Sequence, residues 1–184
     1  MVGVTSLWLP ILLAAIIVFV ASSIIHMALP WHKNDFKRFA AEDAALDKLR
    51  SLELAPGDYA APMAESMSDM GSEAYKAKIE RGPQVMLTVL KPGGSMGANL
   101  VKWFVYLLVV SLFAAYVGGA TLGEGAGYRA VFHLTSTVAF AGYALAIWQN
   151  WIWYSRNLGY TIRTTIDGLV YALLTGGAFG WLWP

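Results

Sequence analysis

The chain has 184 residues, 57% of them hydrophobic, and its thirteen Lys and Arg nearly balance twelve Asp and Glu to a formal charge of +1. That balance gives no basic excess for a nucleic-acid partner, and the absence of cysteine excludes disulfides, thiolate catalysis and cysteine-ligated zinc or iron–sulfur centres. The length leaves room for one membrane domain and one small loop domain.

Four nearly uncharged stretches, from about Leu7 to Leu29, Trp103 to Thr121, Ala130 to Tyr154 and Ile166 to Trp183, each approach the roughly 20 residues a bilayer-crossing helix needs. They predict an all-α membrane protein: a four-transmembrane-helix bundle with a small cytoplasmic α/β loop domain between helices 1 and 2. Residues 1–30 form transmembrane helix 1, 31–100 the loop domain and 101–184 transmembrane helices 2 to 4. Lys33, Lys37, Arg38, Lys48, Arg50, Lys76, Lys78, Arg81, Lys91 and Lys102 lie between segments one and two, and Arg156 and Arg163 between three and four. Arg129 alone sits at the opposite ends. Cytoplasmic loops collect Lys and Arg, so this pattern puts both termini outside a bacterial-type inner membrane and residues 31–100 in the cytoplasm.

In chain order, the apolar run Ile11 to Val20 has no preceding Lys or Arg and continues to Leu29, which reads as an uncleaved anchor and not a secretory signal. His26 falls one turn from the cytoplasmic end of this segment, within reach of headgroups. It is six residues from His32, whereas two ligands on one ideal helical face are three or four apart, so the pair gives no simple metal site and none is expected. Tryptophans mark both boundaries: Trp31, Trp103, Trp151 and Trp153 are expected as cytoplasmic interface anchors and Trp181 as an outer one, each keeping its indole in the headgroup region.

The loop opens with Phe36, Phe39, Leu46, Leu49 and Leu52 at helical spacing among charged residues, predicting an amphipathic helix from about Asn34 to Leu54 with Asn34 or Asp35 as its cap. Pro56-Gly57 ends it. Met63, Met67 and Met70 then recur at helical spacing; without histidine or cysteine beside them they read as packing residues. A short helix is expected near Ser72 to Glu80. Gln84 to Leu90 reads as one strand, to be paired by the Tyr59 region or by a partner. Gly93 to Gly97 lacks the Gly-Lys-Ser/Thr of a phosphate loop and reads as a hinge.

In the later segments, Gly118-Gly119, Gly142, Gly176-Gly177 and Gly180 provide small faces for close helix packing. The short glycine-rich stretch from Leu122 to Tyr128 makes segments two and three an antiparallel hairpin. Gln149, Asn150, Ser155, Arg156 and Asn157 form a polar end to segment three, expected to contact the loop domain.

His133, followed by Thr135, Ser136 and Thr137, is the one candidate cofactor-binding residue: the patch suits haem ligation or quinone protonation, or plain hydrogen bonding to a neighbouring helix. Thr164 and Asp167 read as a helix cap with Arg163 in pairing range. No catalytic constellation appears. The expected function is a non-catalytic subunit, scaffold or assembly factor of a larger membrane complex, partnered by lipid and by other membrane subunits or further copies of itself. A redox, quinone- or haem-associated subunit using His133 is the alternative, and a small channel or transporter the third.

Overall fold

The computed structural model describes all residues, 1–184. It is mostly helical, with one two-stranded sheet, and divides into two compact units: residues 1–37 with 96–184, and residues 38–95.

In the first unit, helix α1 (Trp8–Ser23) begins with Pro10 in its first turn, where a missing N–H costs nothing. The chain then widens into a π turn over Ile24–Ala28, in which the Leu29 N–H bonds the Ile24 carbonyl at 3.2 Å. Pro30 forces Leu29 into extended backbone and ends the helix. A short 3₁₀ turn, Pro30–His32, follows. Three continuous helical stretches, Val4–Ala28, Met96–Thr121 and Tyr128–Tyr154, are long and apolar enough to cross a membrane.

Met96–Thr121 is a single helix, which we number α5 after the elements of the second unit. The third stretch comprises α6 (Tyr128–Ala144), a 3₁₀ turn (Leu145–Ile147) and α7 (Trp148–Tyr154). Ser155, in the left-handed region at φ 49°, turns the chain, and Asn157 caps α8 (Leu158–Trp181) by accepting the Tyr160 N–H at 3.2 Å. The expected start of this helix near Thr164 and Asp167 is therefore corrected. The cap lies two turns earlier, and Thr164 bonds the Tyr160 carbonyl within the helix.

Helix α8 packs on α6 and α1, and α5 on α1 and α6. One core cluster joins Leu7, Ala14, Ala114, Ala115, Val131 and Phe179; a second joins Val18, Leu107, Ala139, Tyr143, Tyr171 and Ala172. The α8 seam is Gly168, Ala172, Gly176 and Gly180, one small residue every four positions. A Cβ on Gly168 would lie 2.9 Å from that of Ala144, and one on Gly176 would lie 2.8 Å from the Ser136 Cβ. On Gly180 it would lie 2.7 Å from the Tyr128 ring. Gly177, expected in this seam, points about 100° away, with only the Tyr128 Oη at 4.0 Å. Gly119 lies against the Val2 carbonyl, Gly118 against Thr135 and Trp183, and Gly142 against Val110. The hydroxyls of Ser111, Tyr143 and Tyr171 are buried without a protein hydrogen-bond partner.

Both chain ends pack where α5 gives way to the loop before α6: the Val2 N–H bonds the Gly119 carbonyl in the last turn of α5 at 2.8 Å, and the Gly125 N–H of the loop bonds the Pro184 carbonyl at 2.7 Å. Trp183 adds a bond from Nε1 to the Gly123 carbonyl at 3.0 Å.

The second unit holds α2 (Glu42–Arg50), β1 (Gly57–Ala61), α3 (Met67–Met70), α4 (Glu73–Arg81) and β2 (Val85–Val89). The expected strand has its partner in the Tyr59 region. β1 and β2 run antiparallel, Tyr59 opposite Leu87 and Asp58 opposite Thr88, whose hydroxyl donates to the Asp58 carboxylate at 2.7 Å. Ser66 and Ser72 cap α3 and α4. Helix α2 is shorter than the expected Asn34–Leu54 element, with acidic residues in its first turn and basic ones in its last, which suits the helix dipole. Met63, Met67 and Met70 are exposed, which corrects their expected role as packing residues.

Candidate functional site: a histidine–aspartate cluster

Proline and the π turn set up the site. On an ideal helix His26 and His32 face different ways; with the π turn and the proline break between them, their rings stack at 4.2 Å between centroids and 22° between planes. The helical spacing that argued against a joint role stops applying at Pro30, because the chain there is no longer α-helical.

His32 is held at both nitrogens. Nδ1 lies 2.5 Å from Asp35 Oδ2, and Nε2 lies 2.8 Å from Asp167 Oδ2. Asp35 therefore does not cap a helix. Its other oxygen accepts from Arg163, with Nε at 2.9 Å and Nη2 in close contact. Arg163 accordingly pairs with Asp35 and not with Asp167, its neighbour one turn along α8. The second oxygen of Asp167 accepts the Trp31 indole N–H at 3.0 Å. Both carboxylates are buried, with side chains 5% and 4% exposed, against 11% for His32.

Burial works to raise the Asp35 carboxyl, but the hydrogen bonds and charges of His32 and Arg163 outweigh it and hold the group below its ordinary value. His26 completes the group from the exposed side, its ring nitrogens free of hydrogen bonds. Suitable donor atoms of His26, His32 and Asp167 lie within 4.8 Å of one another.

Two features border the cluster. A cleft of about 460 Å³ is lined by Asp35, Phe36, Asn150, Ser155, Arg156, Asn157 and Tyr160, so much of the polar end of segment three opens onto Asp35. An apolar groove of about 590 Å³ runs past Trp31, Ile166, Asp167 and Val170.

His133 stands apart. It is exposed near the start of α6, with its ring edge to face against Phe132. The polar patch after it packs on α5 and α8 but sends them no hydrogen bond: Thr135, Ser136 and Thr137 return their hydroxyls to carbonyls of their own helix, Thr135 to Val131 at 2.7 Å. Two of the tryptophans likewise spend their N–H inside the bundle, Trp31 on Asp167 and Trp103 on the Ser22 hydroxyl at 2.9 Å. The rings of Trp31, Trp151, Trp153 and Trp181 are exposed.

Sequence reasoning named His26, His32, Arg163 and Asp167 without joining them, and it missed Asp35 as a member. Two signals were available: the expected topology puts all five at one end of the apolar segments, and His32 and Asp35 are three residues apart. Nothing in the spacing says which of the distant groups meet. No protein-family model, curated protein or solved structure matches this chain.

Proposed function

We propose that the chain crosses an inner membrane four times, termini outside and residues 31–100 cytoplasmic, and serves without catalysis of its own as a subunit, scaffold or assembly factor of a larger membrane complex. The observation that carries this reading is the state of the 38–95 unit. None of its residues is fully buried, while Phe39, Leu52, Met63, Met67, Met86 and Leu90 are all more than half exposed. A unit of this size with a two-stranded sheet has too little core to stand on its own, and a display of large apolar side chains is the mark of an interaction surface.

Helix α8 supports the fourth crossing. Its 24 residues reach about 36 Å at 1.5 Å each. It exposes Ile162, Ile166, Leu169, Val170 and Leu173 on one face and turns Thr161, Asp167 and Thr175 inward. A lipid-facing helix arranges itself in this way. Val2 and Pro184 meeting the same end of the α5–α6 hairpin also fits an even number of crossings.

The test is the size of the protein extracted from its native membrane in mild detergent. Wild type should run in a larger assembly, and Met67→Lys with Leu90→Lys should release it to monomer size with unchanged bundle melting. Monomeric wild type overturns the reading. Cysteines placed at Gly125 and Ser66 check the orientation: an impermeant reagent outside intact cells should label the first only.

A further inference from the structure

We propose that His26, His32 and Asp167 form a site for one divalent first-row cation of the zinc type, bound where the first membrane segment ends against α8. A histidine with both ring nitrogens against carboxylates either donates at both as an imidazolium or, when neutral, donates at one and offers the lone pair of the other to a cation shared with the carboxylate. Nδ1, at 2.5 Å from Asp35, is the hydrogen-bonding side, fixed by an aspartate that Arg163 holds in place. With Nδ1–H on Asp35, neutral His32 offers Nε2 as a ligand atom beside Asp167 Oδ2, 2.8 Å away. Two ligand atoms on one tetrahedral ion sit roughly 3.3 Å apart, so this edge opens by about half an ångström to hold it.

The supporting groups match what a ligated metal needs. Metal-binding histidines hand their other N–H to a carboxylate, which sets the tautomer and strengthens the donor, and Asp35 stands in that position. Ligating carboxylates are themselves hydrogen-bonded, and Trp31 holds the far oxygen of Asp167. His26 supplies the third donor. Its ring is exposed and its nitrogens hold no other bond, so a side-chain rotation within the 4.8 Å group brings one onto the ion.

Two nitrogens and one oxygen suit a borderline cation such as zinc or cobalt, whereas calcium and magnesium take oxygen shells. With His32 neutral, the two carboxylates and Arg163 leave one negative charge, which the cation answers. Three protein donors leave at least one coordination position for water.

The test uses full-length protein in detergent, stripped with chelator and titrated with Co²⁺, followed by its visible d–d absorption and by equilibrium dialysis. One Co²⁺ per chain, displaced by Zn²⁺, is expected. His26→Gln removes a donor that makes no hydrogen bond and should fold normally, yet bind at least ~100-fold more weakly; Asp35→Asn should weaken binding by roughly 10–100-fold. His133→Gln should bind as wild type. Absence of stoichiometric Co²⁺, or uptake undiminished by His26→Gln, overturns the site and leaves His32 as a doubly bonded imidazolium joining two aspartates.

Discussion

The two ends of the bundle are closed by different physics. Where Val2 and Pro184 meet the end of α5 and the loop after it, closure relies on backbone hydrogen bonds, close glycine contacts and apolar side chains around Leu7 and Phe179. At the other end, a network of His32, Asp35, Arg163, Asp167 and Trp31 joins the segment after α1 to α8. The first kind of contact tolerates no added volume; the second tolerates no lost partner. The same helix, α8, takes part in both, through Gly180 at one end and Arg163 and Asp167 at the other.

The largest expected effect is at the charged end. Asp167→Ala leaves the Trp31 indole N–H and His32 Nε2 without their buried partner and should cost about 3–5 kcal/mol, the range for removing one member of a buried charged pair. Thermal unfolding in detergent measures it. A loss below about 1 kcal/mol would mean that this end is as loosely held as a surface ion pair.

Gly176→Ala comes next. The added methyl would sit 2.8 Å from the Ser136 Cβ and 2.9 Å from the Phe132 carbonyl oxygen, so α6 and α8 must separate. Overpacking of this kind should cost about 1–3 kcal/mol in the same assay. Gly177→Ala meets nothing closer than 4.0 Å and is the matched control, expected within about 0.5 kcal/mol of wild type. Equal losses for the two would remove the four-residue seam from the account.

Trp103→Phe is smaller again. It keeps the ring and deletes the N–H bond to Ser22, the tie from α5 to α1, so the loss should be near 0.6 kcal/mol and no more than about 1.7, as for interhelical bonds in membranes. The smallest effect is at His133. His133→Gln should leave both melting and visible absorption unchanged, because the ring is exposed and stands outside the histidine–aspartate cluster. A chromophore in wild type that disappears in this variant would revive the redox alternative.

Much of this protein is legible as pattern. Long apolar runs give the helices, since a chain without charges over some 20 residues has few other ways to satisfy its backbone in lipid. Val85 to Val89 is readable as a strand because β-prone residues stand between Gly-Pro and Pro-Gly punctuation. The failures share a cause. Asn34 to Leu54 has helical periodicity, yet Asp35 is drawn into the bundle by Arg163 and His32, and only Glu42–Arg50 stays helical. Thr164 and Asp167 resemble a capping pair, but Asn157 caps the helix earlier because Ser155 turns the chain before it. Gly176 and Gly177 are indistinguishable in sequence, and the 100° between them decides which one touches α6.

By itself, the sequence determined the local matters: where apolar helices run, where Pro30 and the glycines interrupt them, and which polar residues share an end. Tertiary structure alone decided the distant pairings, Asp35 with Arg163, and Asp167 with Trp31 and His32. The reason is physical. A helix or a turn is encoded by neighbours a few residues apart, whereas the partner of a buried charge is whichever opposite group the packing of distant segments brings within 3 Å, and those segments are here more than a hundred residues apart in the chain.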